Sequence, residues 1–231
     1  MSASAVPRLL ILETSGRTGR VALALGDALC GERRLDEARR HARDLAPAVA
    51  KLLAEQGWRP GDVQAAIVSR GPGSYTGLRV GIMSAKTFAY ATGCALIAVD
   101  TFAAIALQAP AGVTRVDVLA DAQQDKIYVQ PFARREDGWH PQADLAICHF
   151  ADWLSARGKD AAITGPGLRK WAARLPADAP VLDANLWEPQ SASLLQIGLT
   201  RYLAGECDDP WMLEPLYLRP SSAEEQWRAR F

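Results

Sequence analysis

The sequence predicts an α/β fold in two lobes, on three observations. The chain opens with two apolar, strand-like runs joined by a short polar turn. Its middle carries a buried strand, a glycine-rich turn and a helix in succession. After Pro110-Ala-Gly112 the strands begin again, and Gly165-Pro-Gly167 echoes an earlier Gly71-Pro-Gly73, an echo that two tripeptides alone do not make into a duplication. The 231 residues suffice for one large domain or two small ones, and a 49% hydrophobic content supports a real core.

Composition narrows the function classes. With 26 basic and 26 acidic residues the formal net charge is zero, which argues against a dominant nucleic-acid-binding surface while leaving room for a local basic patch. The first residues, Met-Ser-Ala-Ser-Ala-Val-Pro, lead into only four strongly apolar positions, Leu9 to Leu12, so no signal peptide is expected. No apolar run approaches the roughly 20 residues that a membrane-spanning helix needs. Cys30, Cys94, Cys148 and Cys207 are far apart, with no Cys-x-x-Cys, and read as isolated thiols of a reducing cytosol.

Taken in order, Arg8 to Glu13 and Arg20 to Leu25 are strands of a hairpin whose loop, Thr14-Ser-Gly-Arg-Thr-Gly19, carries hydroxyls and two glycines. Cys30 to Leu35 is expected as a third strand, antiparallel to the second. Asp36 to Gln56 is helical in pattern, with Leu45, Val49, Leu52 and Leu53 at helical spacing. Pro47 predicts either a kink or a start near Asp44. Ala65 to Val68 is a buried strand. The helix from Leu78 to about Tyr90 shows two apolar stripes: Leu78, Ile82, Ala85 and Ala89, and Val80, Met83, Thr87 and Tyr90. One stripe suffices to cover a sheet, so the second implies further burial or a partner. Gly81, Ser84 and Ala85 are small enough for another helix to approach. Ala95 to Val99 is a strand, and Asp100 is the expected N-cap of a helix from Thr101 to Gln108.

The boundary is placed near Pro110, giving lobes of 1–109 and 110–220 and a tail of 221–231. In the second half, Val116 to Asp121, Lys126 to Phe132, Asp144 to Cys148 and Ala161 to Thr164 are strands. Phe150 to Arg157, Leu168 to Leu175 and Ser191 to Gly205 are helices, and Pro215 to Arg219 is extended. The tail is charged but carries Trp227 and Phe231, as either a docking segment or a frayed end.

The chemistry concentrates in Ser69-Arg-Gly-Pro-Gly-Ser-Tyr-Thr-Gly-Leu-Arg79, between strand and helix. Its glycines permit tight backbone paths, and Ser74 and Thr76 are candidate caps. A helix start of this kind favours an anion, yet a tight, well-capped turn accounts for the same residues. The stretch is not a P-loop, because no Gly-Lys stands five residues on from Gly71, Gly73 or Gly77. Gly71 to Gly77 approximates a dinucleotide fingerprint, with Asp100 where a ribose-binding acid would sit, but Pro72 removes a donor between the first two glycines.

Catalytic constellations are thin. His41, His140 and His149 lack metal-pair spacing, and no Gly-x-Ser-x-Gly elbow occurs. Asp121 and Asp125 are a candidate carboxylate pair. Lys86 lies about two turns into the central helix, away from any anion at its start.

Ile11-Leu-Glu-Thr-Ser15, Arg20-Val-Ala-Leu23 and above all Gly71-Pro-Gly-Ser-Tyr-Thr-Gly-Leu-Arg-Val-Gly81 resemble the bacterial tRNA threonylcarbamoyladenosine biosynthesis family TsaB, also called YeaZ. Asp121 to Tyr128 and Pro215 to Arg219 resemble its later signatures, so the likeness spans nearly the whole chain. The resemblance implies the two-lobed actin-like ATPase (ribonuclease H-like) fold, with mixed sheets flanked by helices. It implies a cytoplasmic, non-catalytic scaffold for the related subunit TsaD, which transfers threonylcarbamoyl to the adenine beside the anticodon. The P-loop ATPase TsaE joins, and TsaC supplies the threonylcarbamoyl-adenylate. No metal and no resident cofactor are implied, with ATP or ADP conceivable at the partner interface. tRNA is met only through the complex, and the chain alone is expected to dimerise. The partner contact is expected on Leu45, Val49 and Leu52 of the first helix and on Val80, Met83, Thr87 and Tyr90 of the second. Glu13, Thr14, Ser15, Gly71, Gly73, Ser74, Thr76 and Gly77 are the candidate anion or nucleotide contacts. Glu13 stands where the family usually has Asp, and in active actin-like ATPases an acid there helps hold the metal and phosphate.

The alternatives are a stand-alone phosphotransferase or ATPase using Glu13 and Asp121, a peptidase lacking both nucleophile–base pair and zinc motif, and a dinucleotide binder.

Overall fold

The computed structural model describes residues 6–35 and 41–218. The tail 221–231 and Arg219 therefore lie outside the described residues, as do positions 36–40 of the expected first helix.

The first sheet contains β1 (Arg8–Glu13), β2 (Arg20–Leu25), β3 (Ala28–Arg34), β4 (Ala65–Gly71) and β5 (Ala95–Asp100), in the order β3-β2-β1-β4-β5. The first three form an antiparallel meander, and β4 and β5 run parallel to β1. Central strands are covered on both faces and so read as unbroken apolar runs: Leu9 to Leu12 and Ala65 to Val68 are all buried. At the edge, β3 is largely exposed and polar.

One face of this sheet is covered by α1 (His41–Glu55) and α2 (Tyr75–Thr92). Helix α1 runs through Pro47 rather than starting near Asp44. The proline is exposed, while Leu45, Leu52 and Leu53 on the inward side join the core. Apolar burial of one face thus holds a helix that proline alone would interrupt. Helix α2 ends at Gly93 in the left-handed region, φ 74°, a conformation that glycine adopts without the cost of a Cβ.

The second sheet contains β6 (Arg115–Asp121), β7 (Lys126–Arg135), β8 (Gly138–Pro141), β9 (Ala146–His149) and β10 (Ala162–Thr164). Its order is β10-β6-β7-β8, with β9 also on β7. Strand β8 was not expected: the turn at Glu136 to Gly138 closes a hairpin in which Arg135 opposes Gly138. Strands β8 and β9 share the outer edge of β7, pairing with its two halves. Strand β10 is parallel to β6, and a single parallel bridge from Ile163 to Val181 stands where a fifth strand would lie. The second lobe therefore repeats the topology of the first, including the strand, Gly-Pro-Gly turn and helix.

The helices tie the lobes together. From α3 (Thr101–Leu107), Phe102, Ile105 and Ala106 join Val116, Val118 and Phe132 of the second sheet. From α6 (Ser191–Leu203), Leu194 and Leu195 return to Leu9, Ile11, Ile67 and Val99 of the first. The strands of the first sheet end at Asp100 and those of the second begin at Arg115, but α6, which completes the first core, comes after the second sheet. Helices α4 (Phe150–Ala156) and α5 (Leu168–Trp171) cover the other face of the second sheet, with Phe150 stacked on Trp171 at 4.5 Å. Asp100 occupies the N-cap position of α3, but its carboxylate does not cap: Oδ1 accepts from Arg70 Nε at 2.5 Å.

Candidate functional site

The two loops singled out as anion binders lie against each other. The end of β1 crosses the first turns of α2, and Ser74 N–H donates to the carbonyl of Ser15 at 2.7 Å. A Cβ on Gly77 would fall 2.0 Å from the carbonyl oxygen of Thr14, and one on Gly73 would fall 2.5 Å from that of Ser15. Glycine is required at both because backbone occupies the space. Ser74, not Thr76, caps the helix, its Oγ accepting from Gly77 N–H at 3.2 Å. The carbonyls of Thr14 and Ser15 thus pack against the start of α2, while Tyr75 and Thr76 of its first turn line the space beside it.

Glu13 is 0% exposed. Its Oε1 accepts from Ser15 N–H at 2.6 Å, Ser15 Oγ at 2.5 Å and Gly16 N–H at 3.2 Å, so the carboxyl pins the hairpin loop from within. Burial pushes its pKa up, and the hydrogen bonds from Ser15, Ser69 and Gly16 only partly offset this. Oε2 has no partner among the described residues. Thr14 is also buried, its side chain turned toward Gly81 of α2. That contact corrects the reading of Gly81 and Ala85 as a seat for another helix, since Gly81 receives Thr14 and Ala85 lies in the first core.

Between the lobes lies a cleft of about 650 Å³. Ser15, Gly73, Ser74 and Thr76 reach it, whereas Glu13, Thr14, Gly71 and Gly77 do not line it. From the opposite lobe come Asp121, Gln123 and Tyr128. Asp121 and Asp125 do not act as a pair, because each has its own cation: Lys170 Nζ at 3.0 Å and Arg174 Nη1 at 3.3 Å. Among the described residues no group of three or more His, Cys, Asp or Glu side chains could hold a metal. The rim carries a feature the sequence did not disclose. Leu216 N–H donates to Arg70 O at 2.8 Å, and Tyr217 stacks on Tyr75 at 4.6 Å with the Arg79 guanidinium 4.3 Å from the Tyr75 ring.

The outer face of α2 is a second candidate surface. Met83 is 58% and Tyr90 76% exposed, and Thr87 between them is exposed too. Val80 and Val49 are half-buried against the core. Leu45 and Leu52 are buried within it and are unavailable to a partner. Helical spacing marks an apolar face without saying whether a sheet or another chain covers it. Trp211, 78% exposed, and Met212 were missed. Trp211 meets Tyr90 edge-on at 5.9 Å, while neighbouring Leu213 anchors the segment in the first core. The signal was the apolar Trp-Met-Leu run after Pro210.

Two lobes of matching topology, joined by crossing helices around a cleft, define the actin-like, ribonuclease H-like class of proteins. Comparison with known proteins is more specific. Residues 36–182 match the family model described as TsaD, tRNA N6-adenosine threonylcarbamoyltransferase. The chain is 28% identical to the TsaB protein of Escherichia coli (strain K12) over 192 residues, covering 80% of this chain and 83% of that protein. It is 26% identical over 226 residues to TsaB of Bacillus subtilis (strain 168), covering 95% and 97%. The solved structure of YeaZ from Pseudomonas aeruginosa superposes with a TM-score of 0.77 at 28% identity, over 92% of this chain and 100% of that one. The chain belongs to the TsaD family, on its TsaB/YeaZ branch. The likeness seen in Gly71 to Gly81 therefore extends to the whole fold.

Proposed function

We propose that this chain is a non-catalytic scaffold subunit in the formation of N6-threonylcarbamoyladenosine at the tRNA adenine beside the anticodon. It binds and activates a TsaD-like catalytic subunit, with a TsaE-like ATPase joining the complex, in the cytoplasm. The observation that carries the reading is the exposed apolar face of α2, where Met83, Thr87 and Tyr90 meet Trp211. Exposed aromatic and methionine side chains at one place favour a protein partner. In the absence of the catalytic subunit a second copy covers the same face. Relatives named for tRNA threonylcarbamoyladenosine biosynthesis support the pathway.

The cleft fits this role better than independent phosphotransfer. The acids that line it, Asp121 and Glu188, are each paired with a cation, Lys170 and Arg169, and Glu13 is spent on Ser15 and Gly16 inside the loop. tRNA modification is reconstituted with TsaC-, TsaD- and TsaE-type proteins, with and without this chain. The expected result is modification that depends on the chain, strong loss with Tyr90→Ala and Trp211→Ala, and no turnover by the chain alone. Undiminished modification without it would refute the scaffold role.

A further inference from the structure

A second cavity, of about 430 Å³, opens beside the β2–β3 edge and carries groups that the scaffold reading does not use. Three arginines line it, Arg20, Arg34 and Arg169, together with the first residues of α6, Ser191 and Ala192. Two glutamates share the wall. Glu32 lies 3.5 Å from Arg20 and Glu188 3.0 Å from Arg169, while Arg34 has no acidic partner among the described residues. Three guanidinium groups against two carboxylates leave one positive charge uncompensated. The 13-residue α6 adds its positive end, and Gln190 at the N-cap makes no side-chain cap. The Ser191 and Ala192 N–H groups have no acceptor among the described residues.

The independent sign of a ligand is Ser191 itself. It lines the cavity, is only 1% exposed, and its hydroxyl has no hydrogen-bond partner among the described residues. Arg20 Nε is in the same state. Buried polar atoms are satisfied in the great majority of cases, because leaving one unpaired costs about 1–3 kcal/mol. Glu188 Oε2 is unpaired as well, and its carboxylate is already matched by Arg169, so the two unsatisfied donors, the free helix start and the spare guanidinium of Arg34 converge on one cavity.

We infer that this cavity binds the phosphate group of a phosphate-bearing ligand, held by the start of α6, the Ser191 hydroxyl and Arg34. Guanidinium forks and helix N-termini both match phosphate oxygens. The volume exceeds what one phosphate fills, so the phosphate belongs to a larger molecule, either a free nucleotide or a stretch of RNA backbone. The inference does not depend on the scaffold reading.

The test is a titration of the isotopically labelled full-length chain with inorganic phosphate, followed by NMR. Saturable shifts are expected at the Ser191 and Ala192 amides. Arg34→Gln should weaken them about tenfold, and Ser191→Ala severalfold, with the rest of the spectrum native. Titrations with ADP and with a short RNA then identify the source, and tighter binding of either than of phosphate supports the site. Unmoved Ser191 and Ala192 amides would overturn it. So would shifts confined to the first turn of α2, or shifts that Arg34→Gln leaves unchanged.

Discussion

Replacing Gly77 with alanine should destabilise this protein, although the same exchange inside most helices does the opposite. Alanine exceeds glycine in helix propensity by about 1 kcal/mol, so propensity alone predicts a gain. At Gly77, however, the new Cβ would stand 2.0 Å from the carbonyl oxygen of Thr14. The obstructing atom is backbone at the end of a central strand, so no side-chain rotation relieves it. Either α2 moves off the sheet or the hairpin loop shifts, and a shift stretches the 2.7 Å bond from Ser74 N–H to Ser15 O. Overpacking costs about 1–3 kcal/mol and the bond about 1 kcal/mol, so after the propensity gain the net loss is about 1–3 kcal/mol. For a chain of this size that lowers Tm by roughly 2–12 °C. Urea and thermal unfolding measure it, with Gly112→Ala as control, since a Cβ there meets nothing within 4 Å. A Gly77→Ala protein as stable as the parent would show that the hairpin does not seal the start of α2.

Other outcomes follow from the same contacts. Glu13 is held above its ordinary value of 4.5 by burial, so the folded state favours its protonated form. Its contribution is fully present below that value and declines as pH rises through the raised one; relative to Glu13→Gln, the parent should lose stability over that window, and parallel pH profiles would contradict this. Leu52→Ala should cost about 2–5 kcal/mol of folding stability, because it empties a core position. Tyr90→Ala should change folding by less than about 0.5 kcal/mol yet weaken binding of the proposed TsaD-like partner about tenfold or more, as titration calorimetry would show. A double-mutant cycle of Tyr75→Leu and Tyr217→Leu should return about 0.5–1.5 kcal/mol of coupling in urea unfolding, and additivity would mean that the stack on the cleft rim is incidental.

Much of the architecture was legible in local pattern. The apolar runs of β1 and β4, the glycine stop at Gly93 and the stripes of α2 are set by short-range periodicity and backbone preference, which a sequence displays directly. The echo between the two Gly-Pro-Gly turns also proved to mark a topological repeat.

The fate of the candidate residues depended on distance in space. Gly77 was singled out as part of a tight turn; only the fold brings the backbone of Thr14 and Ser15, distant in sequence, against it. Glu13 looked like a cleft acid, but the loop it pins closes over it. Leu52 and Met83 both lay on apolar stripes, yet one is enclosed by the sheet and the other faces outward. Local sequence determined which residues are apolar, which turns are tight and where helices stop. Tertiary packing decided which of those groups the chain uses on itself and which, like Tyr90 and Trp211, it leaves exposed, because burial is a property of everything that surrounds a residue.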